Sequence, residues 1–508
     1  MKPHITATDL YNFKKCAYRP FMDYNGDPSL KVEIHPLIKL LWDAGIQYET
    51  QVIESYQRDH PDQSFRSMSP EQPVSEALAD DTIKAMRDGV DIIYQGVLIS
   101  GNKVGRPDLL LKTQGASSLG EHHYYPMDIK FTREDATWDD DKEKVVMEQF
   151  WQVYFYGELL DAIQGRRPDK GYIYKTKTRI LPVPLNKPPF NYEWAINQLE
   201  SYLQGNAHGA EPAINSNCGM CEWKASCAKW AEQNRDISLV YYVGQAMKTG
   251  LKKLGVKTIE DLAKQNPEEL TDKVLALKAE GYFWKAIPED LPRKSILRAQ
   301  IHLSGKPVIY QKIVFPDSAK EIHFDIEDDP TQDFVYLYGA LLVEKGKTPE
   351  YHSFFAKSRD DERDITQQLF DFFDKHQDAT IYHYSDYEKT TLKRLINKHQ
   401  LDPAVYDRLF GENGTAIDLY KLISKYTDWP LTSYGIKAIC KFLGFKWDAA
   451  DAGGAASIVW MNEYLAGNTS MKEKILRYNE DDCQATYFLK NELIKMQTHA
   501  SPLHPKTA

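Results

Sequence analysis

Apolar and polar residues alternate over Ile322-His323-Phe324-Asp325-Ile326-Glu327-Asp328-Asp329. That period of two marks a strand ending in carboxylates. Period-2 or apolar runs at 334–343, 351–356 and 380–384 predict three more strands. Helical spacing at 363–373 and 387–398 predicts the helices around the fourth strand. Upstream, Thr8 is a candidate cap for a helix through Leu10, Phe13 and Cys16. Helices are expected at 36–53, 75–87 and 141–163, and strands at 92–99, 103–113, 122–132 and 171–174. The segment between these blocks is helical: Gly255 ends one helix and Thr258 caps the next. Both outer blocks mix strands and helices, so an α/β multidomain chain is expected. Its boundaries fall at 1–232, 233–304 and 305–496, with a disordered tail at 497–508.

The carboxylates give the pattern chemical content. Asp325 and Glu327 share one side of their strand, where two buried negative charges are costly unless a cation lies between them. Mg²⁺ or Mn²⁺ takes oxygen ligands of this kind. Tyr478 and Asp482 are four apart on a predicted helix and share a face. A strand Asp-x-Glu with a helix Tyr-x-x-x-Asp can build a two-metal site for phosphodiester hydrolysis. In the first block, Arg106-Pro107-Asp108 opens one strand and Asp128-Ile129-Lys130 lies on the next. Asp108 and Asp128 fit a Mg²⁺ ion, and Lys130 fits a group that positions or activates water. A plain surface strand shows Asp-x-Lys as well, and Asp418 reads as a helix-start residue.

Cys218-Gly219-Met220-Cys221 and Cys227 space as C-x₂-C-x₅-C, and Cys16 stands alone near the start. Four thiolates suit an iron–sulfur cluster or zinc. Cys440 and Cys483 read as small buried residues. The chain has 508 residues, 42% of them hydrophobic, and a net charge of −10. That charge argues against an overall electrostatic grip on nucleic acid but leaves room for a local one. Arg166, Arg167, Lys170, Lys175, Lys177, Arg179 and Lys187 crowd one stretch, which fits a phosphate-tracking patch or a solvated surface. No apolar run is long enough to span a membrane and no signal peptide is visible, so a cytoplasmic protein with no membrane partner is expected.

Pro107-Asp108 followed by Asp128-Ile129-Lys130 resembles the PD-(D/E)XK nuclease motif. Gln152-Val153-Tyr154-Phe155-Tyr156 is similar to the Gln-x-x-x-Tyr element of the RecB/Cas4-like branch. Gly45-Ile46-Gln47-Tyr48-Glu49 stands where relatives often read Gly-x-x-His-Glu, with Tyr48 in place of His. The resemblance implies Glu49, Asp108 and Asp128 as metal ligands, Lys130, Gln152 and Tyr156 as further catalytic residues, and a restriction-endonuclease-like core. It also implies a [4Fe–4S] cluster on Cys16, Cys218, Cys221 and Cys227, with zinc as the alternative. Residues 250–263 resemble a helix-hairpin-helix. The last block, in strand and helix order and in Tyr478-Asn479-Glu480-Asp481-Asp482-Cys483, resembles a YprB-type RNase H-like exonuclease of the DEDDy group. There Asp325, Glu327, Glu388 and Asp482 are the implied metal ligands and Tyr478 orients water. Glu388 stands where relatives carry Asp, with Asp386 the fallback. A double nuclease on one chain is thus expected, with DNA favoured over RNA and a helicase as a potential partner. The alternative is a nucleic-acid-binding adaptor with one or both sites inactive.

Overall fold

The structure is a computed structural model, and it describes residues 4–131, 146–207, 209–280, 287–448 and 454–498. The chain forms two compact units, which part between Cys227 and Ala228 apart from short exchanged segments. The helical middle falls within the second unit.

The first unit is built on a six-stranded mixed sheet. Its order is Phe65–Ser67, Ile92–Tyr94, Leu109–Ser117, Gly120–Ile129, Lys170–Thr176 and Arg179–Pro184. Helix Met147–Gln164 packs on this sheet and buries Trp151, Val153, Phe155, Leu159 and Leu160. A helix apolar on most sides belongs inside a core. Residues 132–145, including the expected start of this helix at Asp141, lie outside the described residues.

Three local expectations are corrected. Thr6, not Thr8, caps the first helix, through a reciprocal box with Asp9; Thr8 is inside the helix. The strand expected at 92–99 is broken at Gln95, whose backbone is left-handed at φ 55°. The strand expected at 103–113 is broken at Arg106-Pro107. The Arg106 guanidinium donates to the carbonyls of Met68, Ser69 and Gln95, which pins the crossing, and Pro107 has no N–H for a ladder. The detached halves, Leu98–Ser100 and Lys103–Gly105, join Ile5–Thr6 in a small separate sheet. Strand Arg179–Pro184 and helix Tyr192–Leu203 complete the unit and were not signalled by the pattern.

In the second unit, helices Gln245–Lys253, Ile259–Ala263, Pro267–Ala279 and Leu291–Ser304 share a core that includes Met247, Leu251, Leu262, Leu270 and Ile296. Gly255, at φ 85°, follows the first helix, and Thr258 caps the second with Asp261, as expected. Arg298 reaches from the fourth helix to Asp428 at 2.8 Å.

The remaining five-stranded sheet has the order Glu350–Phe355, Phe334–Glu344, Lys320–Asp329, Thr380–His383, Ile417–Asp418. The first three strands are antiparallel neighbours and the last two run parallel to the central one. Helices Glu362–Lys375 and Tyr387–His399 flank the fourth strand. This is the expected order of three strands, helix, strand, helix. On the central strand Ile322, Phe324 and Ile326 enter a core with Leu369, Phe373, Leu392 and Phe410. The opposite face carries Glu321, His323, Asp325 and Glu327. The 28-residue helix Met471–Thr498 contacts that strand and runs past the expected start of the tail; residues 499–508 lie outside the described residues. A further helix, Gly454–Leu465, precedes the long one. Among the described residues no helix is long and apolar enough to cross a membrane.

Candidate active site

Asp325 and Glu327 come from the central strand and Asp482 from the long helix. Their ligand oxygens lie within 4.8 Å of one another. A register shift follows immediately, between Glu327 and Asp328, as is common beside functional sites. Among the described residues this is the one trio of metal-ligating side chains so closely spaced.

Each carboxylate is held by a partner. The Asn479 amide donates to Asp325 Oδ2 at 2.8 Å, and its own oxygen accepts from the Tyr351 hydroxyl at 2.8 Å. This path exists because Gly339, opposite Asp325 in the ladder, has no side chain. A Cβ there would stand 1.7 Å from Asn479 Oδ1. Trp447 Nε1 donates to Asp482 Oδ1 at 2.7 Å. Ser457 accepts from the Tyr336 hydroxyl at 2.8 Å and lies beside Glu327. Tyr478, one turn before Asp482, lies beside that carboxylate, and its hydroxyl accepts from Lys437 Nζ.

Glu388 is buried outside the trio, 3.5 Å from His383 Nδ1, and is close enough to raise the Asp325 pKa. The fallback Asp386 is instead paired with Lys421 at an exposed position. Asp418 caps helix Leu419–Tyr426, as expected, and also accepts from the Ser385 amide at 3.0 Å.

Burial, then mutual repulsion, makes these acids weak. Glu327 is pushed up to about 8, by burial and then by Asp482. Asp325 is raised well above the usual carboxylate range by burial, Asp482, Glu327 and Glu388. Burial raises Asp482, while Lys437, Trp447 and Tyr478 hold it down. Such a set is primed to exchange protons for a cation. Buried, converging oxygens without enough positive charge fit a hard divalent ion such as Mg²⁺ or Mn²⁺.

The first unit also gathers its expected residues. Asp108 Oδ2 accepts from the Ile129 amide at 2.6 Å, and Lys130 Nζ lies 2.5 Å from Asp128 Oδ2. Gln95 Nε2 bridges Glu49 Oε1 at 2.7 Å and Asp108 Oδ1 at 2.9 Å. Asp108 is raised well above its usual range by burial, then by Asp128 and Glu49. The buried Tyr156 senses the same three carboxylates. Gln152 is buried one helical turn before it, and its Oε1 has no hydrogen-bond partner among the described residues. Tyr48 turns its hydroxyl to the Lys175 carbonyl. In the basic stretch, Arg167 pairs with Asp161 and Lys177 with Asp59.

Cys16 follows the first helix, and Cys218, Cys221 and Cys227 sit near the unit's other end. The thiols are electrostatic neighbours: burial first, then Cys16, Cys221 and Cys218, pushes Cys227 up to about 12. The Asn217 amide donates to the Lys15 carbonyl at 3.2 Å, and Trp223 Nε1 donates to Asp23 at 2.8 Å. No three of the sulfurs converge within 4.8 Å.

Several site residues lay outside the sequence reading. Lys437 and Trp447 lie in stretches without a chemical motif. Asn479 is inside the quoted motif but was given no role. Gln95 sat inside a supposed continuous strand.

A family of the RNase H superfamily matches residues 322–494. The C-terminal domain is RNase H-like. The match contains Asp325, Glu327, Glu388, Tyr478 and Asp482. Domains of this fold generally hydrolyse nucleic acid with divalent metal ions, so a nuclease-like function follows at that level. No curated protein matches the chain.

Two outcomes follow from the geometry. Gly339→Ala must expel Asn479 from Asp325; stability is expected to fall by about 1–3 kcal/mol, read from denaturant unfolding, with unchanged Mn²⁺ affinity contradicting the Asn479 role. The second concerns pH. The Glu327 carboxyl binds its proton more tightly folded than unfolded, so its contribution to folding is lost as pH rises from its ordinary 4.5 through about 8. Metal-free protein in EDTA is expected to lose thermal stability across that window, and saturating Mg²⁺ to flatten the loss. Parallel curves with and without Mg²⁺ would count against this carboxylate set as the metal site.

Proposed function

We propose that this chain is a divalent-metal-dependent nuclease whose RNase H-like domain is a 3′-to-5′ exonuclease on single-stranded nucleic acid, DNA before RNA. The observation that carries this reading is the convergence of Asp325, Glu327 and Asp482 beside Tyr478 in a domain of that superfamily. Asp325, Glu327 and Asp482 are the residues that would hold Mg²⁺ or Mn²⁺, with Glu388 supporting Asp325 from its buried place near His383. Bound metal supplies Lewis acidity and a water acidic enough to attack at neutral pH. The chain's own part is positional. Asn479 and Trp447 fix the carboxylates that they touch, and the Tyr478 hydroxyl orients the attacking water.

The first unit carries a second, RecB-like site in this reading. Asp108, Asp128 and Glu49 are its ligands, and Lys130, already against Asp128, orients water and offsets phosphate charge. Gln152 and Tyr156 line it from the helix. One observation favours an inactive first site that serves binding alone: the Gln95 amide lies between Glu49 and Asp108, while Tyr48 is turned to a backbone carbonyl.

The four cysteines hold a [4Fe–4S] cluster in the same reading. Tetrahedral zinc on the same four thiolates is the competing occupant.

End-labelled single-stranded DNA in Mg²⁺ or Mn²⁺ tests the sites. Asp325→Ala/Glu327→Ala is expected to remove the stepwise 3′-end ladder by at least about 100-fold, since these changes go deeper than outer-sphere ones. Asp128→Ala/Lys130→Ala removes a separate set of products if the first site cuts; if only the former pair matters, the first unit binds without cleaving. Wild-type protein that binds the strand and cuts neither DNA nor RNA overturns the nuclease reading in favour of an adaptor. For the cysteines, anaerobically purified protein is expected to contain iron and acid-labile sulfide in equal amounts and to lose both in Cys218→Ser. One zinc per chain and no sulfide would replace the cluster.

A further inference from the structure

Lys437 is the cation of the RNase H-like site. It lies on the first turn of Ile436–Phe442, more than forty residues before Asp482. Its ammonium donates to the Tyr478 hydroxyl and stands 4.4 Å from that ring's centroid. It also stands 6.0 Å from the ring of Trp447, whose indole N–H holds Asp482. The Tyr478 hydroxyl in turn lies beside the Asp482 carboxylate. Lys437 thus holds the one phenol that borders the carboxylate trio. The same ammonium acts on the charge of Asp325 and Glu327 as well.

The preceding segment anchors this lysine. Buried Tyr434 gives its carbonyl to the Tyr384 hydroxyl, and its own hydroxyl reaches Asp428 at 3.0 Å. Asp428 is bound by Arg298 at 2.8 Å and by Tyr310 at 2.6 Å. The backbone two and three residues before Lys437 is therefore fixed from several sides, which suits a group whose task is placement.

Resting on the exonuclease reading above, we propose that Lys437 is a positioning residue with two effects at one place. It holds the Tyr478 phenol by occupying its acceptor lone pair, so the hydroxyl hydrogen has one direction left, toward the carboxylates. It is also the fixed counter-charge of the carboxylate trio, competing with a bound cation while keeping the acids together. A phenol so held orients water; released, it rotates about its C–O bond.

The test uses full-length protein, wild type and Lys437→Met, Lys437→Arg, Tyr478→Phe and Lys437→Met/Tyr478→Phe. Mn²⁺ binding is followed by electron paramagnetic resonance, and cleavage of end-labelled single-stranded DNA at saturating Mn²⁺. Lys437→Met is expected to bind Mn²⁺ about 3- to 10-fold more tightly, because a nearby positive charge is gone. Its kcat is expected to fall about 30-fold with KM within about 2-fold, the pattern of a lost transition-state contact. The double variant is expected to be no slower than Tyr478→Phe, since the lysine acts through the phenol. Lys437→Arg is expected to recover part of kcat and the wild-type Mn²⁺ affinity.

Weaker or unchanged Mn²⁺ binding in a folded Lys437→Met protein overturns the counter-charge. A rise in KM at unchanged kcat, or additive losses in the double variant, overturns the positioning role. Should Lys437→Met fail to fold, Lys437→Gln replaces it with the same expectations. Wild-type protein that binds Mn²⁺ yet cuts nothing counts against the exonuclease reading alone, and the Mn²⁺ comparison then decides the fate of Lys437.

Discussion

Three carboxylates that converge at one place, two of them buried, are the constraint on which the second unit is built. Bringing Asp325, Glu327 and Asp482 within 4.8 Å sets like charges together where water is scarce. The fold meets this with a polar seam. One face of the central strand is apolar and fills the core, while the other presents Glu321, His323, Asp325 and Glu327 to the long helix. The helix answers residue by residue: Lys490 pairs with Glu321 at 2.7 Å and Asn479 donates to Asp325. His323 bonds Glu321 at 3.2 Å and lies flat against Tyr382. Removing either member of a buried pair such as Lys490 and Glu321 leaves an uncompensated charge, which costs far more than the pair contributes. The site is thus the open end of a seam otherwise closed by pairing.

What could be read from the chain divides along locality. Asp325 and Glu327 are two apart on a strand, Tyr478 and Asp482 four apart on a helix, and both spacings translate directly into shared faces. Thr258 and Gly255 likewise act on their own neighbours. Lys437 and Trp447 have no such signal, because they reach the site through the packing of a short helix and a loop. Gly339 looks like any strand glycine until Asn479 is seen in the space that it leaves.

The first unit shows the same division. Asp128 and Lys130 are two apart and meet as the strand period requires. The continuous strand expected through Gln95 fails for a reason no propensity contains. Arg106 gathers the carbonyls of four residues, Met68, Ser69, Gln72 and Gln95, and that crossing separates the two halves. The break is also what puts Gln95 between Glu49 and Asp108. A site residue was hidden by the same long-range contact that misled the assignment of the strand.

The two carboxylate clusters are alike in composition and unlike in distribution. Each sets three acids against one ammonium, Lys130 in the first and Lys437 in the second. In the first unit the ammonium lies directly on Asp128 and an amide spans the other two acids, so the negative charge is spread out and met by polar side chains. In the second unit the acids converge, and the ammonium reaches Asp482 by way of Tyr478. Repulsion there is relieved by holding protons, as Glu327 does up to about 8. A cation entering the second cluster gains its attraction at the expense of those protons, and one entering the first must displace an amide and loosen an ion pair. A cation would therefore meet different competitors at the two clusters, the proton in one and the chain's own side chains in the other.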